Sequence, residues 1–425
     1  MLIAALTLAA HIAIAPQEAL SAIGYWEGSI SLPGMALPIQ VNMAPWVGGE
    51  LQGSISIPLQ SLRDYKLDKV APSGKEISFR MAGIPGNPTF KGRLENGIIK
   101  GDFTQGGQSF PFELKRIGDA KPMAIEATLP KGFTERNVTV GSSPWELPGT
   151  LTLPQDKGGK GPFPAVVLVH GSGPQDRDSH IGESRPFRDI AWGLAEKGIA
   201  VLRYDKRTFV HGAKIAALKN FTMNEETVDD AASAVAVAGL AEEINADKVF
   251  VLGHSFGGYA LGRIAEKCPK VAGFISLAGM ARPLEDTLLE QVMDRGAESA
   301  KATIAKAVAK VKSADLSADT PAGELPLGVP APYWLDMRGY DPVAALAKSK
   351  RPALILQGEA DIQVRMTDFE LWKKGLPAAA SKSFPNLNHI FMPVDGKSTG
   401  AEYYAAGQHV SAEAIQAIAE WIKSR

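Results

Sequence analysis

Apolar and polar positions follow two different rhythms along the chain. Between Gly24 and Arg116 they alternate in short runs, as in Trp26-Glu27-Gly28-Ser29-Ile30-Ser31-Leu32, Leu37-Pro38-Ile39-Gln40-Val41-Asn42-Met43 and Glu50 to Ile57. Lys75 to Met81, Thr89 to Leu94, Ile98 to Phe103 and Ser109 to Leu114 continue the alternation, with Gly and Pro between the runs. Successive side chains of a strand point to opposite faces, so this period, broken by frequent turns, predicts an all-β barrel or sandwich of antiparallel strands over 22–117. Further on the apolar runs become continuous: Ala165 to Val169, Ile199 to Leu202, Val249 to Leu252 and Ala353 to Leu356. Runs of that length, bounded by turn residues, read as buried strands. Helical spacing appears in Gly258 to Ala265, in Glu285 to Val311 and in Ser411 to Ile422.

The turn after one buried strand carries chemistry. Gly253-His254-Ser255-Phe256-Gly257 lies between Val249-Phe250-Val251-Leu252 and the helical segment from Gly258. A serine at the apex of a strand-to-helix turn is held in strained backbone, and its neighbours two residues away on each side must be small. Ser255 is therefore the candidate nucleophile. A hydroxyl needs a base and a group that orients the base, found in the chain order Ser, then Asp or Glu, then His on this kind of turn. The strand Ala353 to Gln357 ends in Gly358-Glu359-Ala360-Asp361, which makes Asp361 the candidate acid and Glu359 its rival. Ser383-Phe384-Pro385-Asn386-Leu387-Asn388-His389 then offers His389 as base. His409 also follows Asp361, but it stands just before the terminal helix, where capping or a surface role accounts for it. His11 lies in the leader, and His170 and His254 precede Ser255 and belong to other turns.

Developing oxyanion charge requires donors. One is the backbone N–H of Phe256, directly after the serine at a helix start. The other is the N–H of Ser172 in His170-Gly171-Ser172-Gly173-Pro174, a glycine-rich turn that follows the strand Ala165 to Val169 and admits close approach of main chain. Arg203, Asp205 and Arg207 follow the strand Ile199 to Leu202. They are expected to form an ion-pair network with Asp176, Arg177 and Asp178 rather than to shape the pocket floor.

Taken together, His170-Gly171-Ser172-Gly173-Pro174, Arg203-Tyr204-Asp205-Lys206-Arg207, Gly253 to Gly258, Gly358-Glu359-Ala360-Asp361 and His389 resemble the α/β-hydrolase superfamily. More narrowly they look like bacterial esterases grouped with serine aminopeptidase-like hydrolases, some of which carry an extra N-terminal domain. The resemblance runs from about Thr134 to the C-terminus. It implies a mostly parallel sheet flanked by helices, a Ser/Asp/His triad and no cofactor. Lys206-Arg207-Thr208-Phe209 departs from the pattern, since relatives commonly have glycine just after the arginine.

The segment 281–348 falls between the halves bearing the nucleophile and the acid, and reads as a helical cap; Tyr333, Trp334 and Tyr340 are its candidate pocket residues. At 425 residues two domains are expected, joined by a linker at 118–133, with the catalytic domain at 134–425. A formal net charge of −1 and 45% hydrophobic residues offer no basic excess for nucleic acid. Cys268 is the one cysteine, so no intrachain disulfide forms. Met1 to Ala15 is apolar, too short to span a bilayer comfortably, and ends in Ala13-Ile14-Ala15, which fits signal cleavage and export to the periplasm or beyond, although a positively charged start is missing.

These readings predict a serine carboxylesterase for small-molecule esters with short to medium acyl groups, without cofactor, metal or membrane span. The alternatives are an aminopeptidase or acyltransferase with the same triad, or a non-catalytic binding protein on a hydrolase scaffold. The β domain is expected either to bind an unidentified ligand or to support the catalytic domain.

Overall fold

The computed structural model describes residues 22–425 except 46–50, 59–61, 82, 83, 85, 121–131, 156–160, 182, 183, 297, 397 and 406. The leader 1–15 and most of the linker therefore lie outside the described residues. Two compact units divide between Ala127 and Thr128.

In the first unit, β1 (Gly24–Leu32), β2 (Met35–Pro45), β3 (Leu51–Ile57), β4 (Leu62–Ser73), β5 (Glu76–Arg80), β6 (Thr89–Glu95), β7 (Ile98–Gln105) and β8 (Gln108–Gly118) form a closed barrel. Every neighbouring pair is antiparallel, and β1 also pairs with β8, which closes the sheet and leaves no edge. A barrel is thus the form taken, not a sandwich. Its inward positions are filled by Trp26, Ile30, Val41, Ile55, Phe79, Phe90, Ile99 and Leu114, all buried. The Phe79 and Phe90 rings stack with centroids 4.7 Å apart, and Phe112 meets Phe90 edge-on at 5.1 Å. The strand β4 escapes the alternation rule because its register slips between Asp68 and Ala71, so that Leu67 and Val70, three residues apart, are both buried.

The second unit is a sheet of eight strands in the order β16-β15-β14-β13-β11-β12-β10-β9. These are β9 (Phe133–Val140), β10 (Leu147–Pro154), β11 (Phe163–Val169), β12 (Ala200–Tyr204), β13 (Ile244–His254), β14 (Gly273–Leu277), β15 (Ala353–Gly358) and β16 (Ala380–Phe384). β9 and β10 form an antiparallel hairpin at one edge, and β11 to β16 pair in parallel. Every residue of β12, β14 and β15 is buried, which is why these strands appear in the sequence as unbroken apolar runs. Alternate residues of β13 feed two cores: Val249 and Val251 on one face, Phe250 and Leu252 on the other.

The face holding Phe250 and Leu252 is covered by the helices Pro186–Ala195 and Ala412–Lys423. The latter starts at Ser411, whose hydroxyl accepts the N–H of Glu413, and it buries Ala414, Ile415, Ile418, Trp421 and Ile422 along one stripe. Between β14 and β15 stands the helical insert, with helices Leu284–Arg295, Glu298–Lys312, Ala331–Met337 and Pro342–Lys348. No described helix is long and apolar enough to cross a membrane.

Candidate active site

β13 delivers Ser255. The strand ends at His254, a helix begins at Phe256, and Ser255 between them takes φ 54° and ψ −116°. A side chain at positive φ is strained and persists only where its surroundings impose it. Here they do: a Cβ on Gly253 would lie 2.2 Å from the Gly257 carbonyl oxygen, and one on Gly257 2.4 Å from that of Val169. The Ser255 N–H donates to the carbonyl of Leu277 in the neighbouring β14, at 3.0 Å.

β15 leads into the turn that carries Asp361, the candidate acid. Oδ1 of Asp361 accepts the main-chain N–H groups of Gln363 (2.7 Å) and Val364 (3.0 Å), which fixes the carboxylate within its own turn. Oδ2 accepts the Gln357 side-chain amide at 3.0 Å and Nδ1 of His389 at 2.7 Å. Because those carboxylate oxygens are acceptors, Nδ1 carries the proton and Nε2 is left as the basic nitrogen. Both side chains are almost wholly buried, at 0% and 5% exposure. A Cβ on Gly358 would sit 2.2 Å from the Leu387 carbonyl oxygen, so the acid turn and the histidine turn are pressed together. Asn388 pins the second turn: its Oδ1 accepts the N–H groups of Ile390 and Met392.

The histidine segment also reaches the elbow. His254 Nε2 donates to the His389 carbonyl at 2.9 Å, and the two rings are 4.7 Å apart. Burial, aided by the nearby His389, pushes the His254 imidazole down to about 3, so it stays neutral beside the site. The rivals are elsewhere. Glu359 is exposed and accepts the Ser383 hydroxyl at 2.7 Å, while His409 is 67% exposed and bonds Asp189.

Over Ser255 lies the loop after β11. A Cβ on Gly171 would be 3.2 Å from the Ser255 Cβ, a tight contact that the glycine spares the loop. His170 Nε2 donates to the Asp176 carbonyl, and the Gln175 amide donates to the Ser172 carbonyl at 3.0 Å, so the loop is tied to itself on both sides of Ser172. Phe256 is buried and opens the helix directly after Ser255, and the N–H groups of Gly258 and Tyr259 close the first turn on the Ser255 carbonyl at 3.0 and 3.2 Å.

Residues 166–406, more than half of the chain, match the model of the alpha/beta hydrolase family. The chain belongs to this family. The hydrolase is also 40% identical over 299 residues to Esterase EstD of Thermotoga maritima, an alignment covering 69% of this chain and 68% of the relative. Among solved structures it is similar to Est1E from Butyrivibrio proteoclasticus, at 15% identity and a TM-score of 0.46 over 68% of this chain and 99% of the other. It is similar as well to the acylaminoacyl peptidase of Pyrococcus horikoshii, at 13% identity and a TM-score of 0.49 over 93% of this chain and 70% of the other.

Around this centre the hydrolase arranges its charges as ion pairs. Arg203 donates to Asp178 (2.8 Å) and Glu135 (2.9 Å), and Arg177 grips Asp205 through both Nε and Nη2. Arg207 pairs with Asp230 instead of joining the Asp176–Asp178 group. Burial raises both Asp176 and Asp230 to about 6. The three aromatic pocket candidates are engaged in packing. Trp334 is buried with its indole N–H on the Val329 carbonyl, and Tyr340 donates to the Tyr259 carbonyl at 3.1 Å beneath the Arg263 guanidinium. Tyr333 is buried against Phe221 and donates to Glu226. Sequence reasoning passed over Gln357, Asn388, Lys206 and Glu226. For Gln357 a signal existed, because a lone amide ending an otherwise apolar strand needs a buried partner.

Proposed function

We propose that this hydrolase is a serine carboxylesterase for esters with short to medium acyl groups, using Ser255 as nucleophile, His389 as base and Asp361 as the orienting acid. The hydrogen bond from His389 Nδ1 to Asp361 Oδ2, 2.7 Å long and buried, is the observation that carries the reading. The strained Ser255 turn and the printed name of the Thermotoga relative, an esterase, support it.

In the first half-reaction Ser255 Oγ attacks the ester carbonyl carbon while its proton passes to His389 Nε2. Negative charge gathers on the former carbonyl oxygen, and the N–H groups of Ser172 and Phe256 are assigned to receive it. Collapse breaks the bond to the alcohol oxygen, which leaves with the proton from His389. Water then attacks the acyl-enzyme, gives a proton to His389 and releases the carboxylic acid as that proton returns to Ser255. Asp361 holds the ring through Nδ1 and stabilises the imidazolium that forms in each half.

Ser255→Ala is the test. The variant is expected to fold and to hydrolyse p-nitrophenyl esters on the order of 10³-fold more slowly or worse. Unchanged turnover would end the assignment. Parallel rates on aminoacyl anilides decide between ester and peptide substrates: faster anilide cleavage would make the protein an aminopeptidase with the same residues.

A further inference from the structure

A buried ion pair lies behind the loop over Ser255. Lys206 is 2% exposed and Glu226 8%, and Lys206 Nζ donates to Glu226 Oε1 at 2.6 Å. The same ammonium donates at 2.8 Å to the carbonyl oxygen of Gly171. It also sits 5.7 Å from the centre of the Phe256 ring. The other oxygen of Glu226 accepts the hydroxyl of Tyr333, from the insert helix Ala331–Met337, at 2.5 Å.

The Gly171 carbonyl and the Ser172 N–H belong to one planar peptide group, and in a trans peptide they point in opposite directions. A cation fixed on the oxygen therefore determines where the N–H aims. It also withdraws electron density from the nitrogen and makes that N–H a stronger donor, as linked hydrogen bonds polarise one another at low dielectric. A buried ammonium left alone would be strongly unfavourable, and Glu226 supplies the countercharge that keeps it in place. Tyr333 in turn holds Glu226, which joins the insert to the loop above the serine.

We propose that Lys206 is a positioning residue for the oxyanion site: it orients and polarises the Gly171–Ser172 peptide, with Glu226 and Tyr333 as the chain that ties this function to the insert. This rests on the serine-hydrolase reading given above. Lys206 touches no reacting atom, so its removal should weaken stabilisation of the tetrahedral oxyanion and leave ester binding nearly intact.

The test uses the full-length protein and three variants, Lys206→Met, Tyr333→Phe and Ser255→Ala. Lys206→Met is expected to lower kcat about 10- to 100-fold, somewhat less than loss of a direct oxyanion donor, with KM changed less than about threefold. The inhibition constant of a trifluoromethyl ketone analogue, which adds the serine oxygen and carries an oxyanion, should rise by the same factor as kcat falls. Tyr333→Phe keeps the ring and loses one hydrogen bond, and should lower kcat a few fold with a matching rise in that constant. Should Lys206→Met fail to fold, Tyr333→Phe decides by itself. A folded Lys206→Met with kcat within twofold of the parent, a loss confined to KM, or lost kcat with unchanged ketone affinity would overturn the assignment, as would a Tyr333→Phe that is unaltered. Ser255→Ala separates the two levels: residual full activity there would sink the serine reading itself, whereas its inactivity beside an unaffected Lys206→Met would sink the Lys206 assignment alone.

Discussion

Asp361→Asn changes one atom and reverses the logic of the site. The carboxylate accepts four hydrogen bonds, two on each oxygen: Gln363 N–H and Val364 N–H on Oδ1, the Gln357 amide and His389 Nδ1 on Oδ2. An asparagine in the same place has one accepting oxygen, so in either orientation two of these donors must face its NH₂ group. With oxygen turned to the two main-chain N–H groups, the NH₂ meets His389 and Gln357. His389 can answer by moving its proton to Nε2, but then Nε2 no longer accepts the serine proton. Gln357 cannot turn its amide over freely, because Nε2 also donates to the carbonyls of Val364 (2.9 Å) and Gly358 (3.2 Å). One opposed donor costs about 1–3 kcal/mol of stability. The inverted tautomer removes about 10⁴ in kcat, the scale seen for this exchange in the Ser-His-Asp template. The assay pairs p-nitrophenyl ester kinetics with urea unfolding, and Glu359→Gln is the control, expected to stay within threefold of the parent. An Asp361→Asn variant within tenfold of parental kcat/KM, or a larger loss from Glu359→Gln, would refute the reasoning.

Two other outcomes follow from the same geometry. Gly253→Ala places a methyl 2.2 Å from the Gly257 carbonyl oxygen, so the elbow must open; soluble yield or melting temperature should fall sharply and ester turnover with it, and a variant of parental stability would contradict the packing described. Burial, reinforced by the charge of Lys206, holds the His170 imidazole down to about 3 against its ordinary 6.5. The stability gained by keeping it neutral is complete above 6.5 and is lost progressively as pH falls towards 3, because only the unfolded chain takes up the proton in that window. Between pH 7 and pH 5 this amounts to about 2 kcal/mol, while Asp176 and Asp230, raised to about 6, pull the other way in parent and variant alike. Measured by urea unfolding, the change in stability from pH 7 to pH 5 should lie about 2 kcal/mol further towards stabilisation in His170→Gln than in the parent, and an identical change in both would show that His170 is not held neutral.

The parts of this molecule that sequence discloses are those encoded locally. The elbow is legible because strand, small-residue turn and helix follow one another within a few positions, Asp361 because it stands in a short turn after an apolar strand, and His389 because it comes next in the chain order, in the loop after a short strand. The barrel's alternating strands are local too, except β4, where a register slip puts two inward residues three apart. Closure of the barrel through β1 and β8 joins the two ends of the domain, and no nearby residue signals it. The same holds for Arg207 with Asp230, and for Lys206, Glu226 and Tyr333, whose contacts bridge segments far apart in the chain. Aromatic residues in the insert gave no means of telling a pocket wall from a core, and Tyr333 and Trp334 are buried.

The most direct measurement of the central claim is covalent labelling with a fluorophosphonate ester, followed by peptide mass mapping. An activated serine attacks phosphorus and keeps the adduct, so one label per chain on the peptide containing Ser255 is expected, with none in Ser255→Ala and strongly slowed labelling in Asp361→Asn. A label on a different residue, or an intact folded protein that takes up none, would contradict the account.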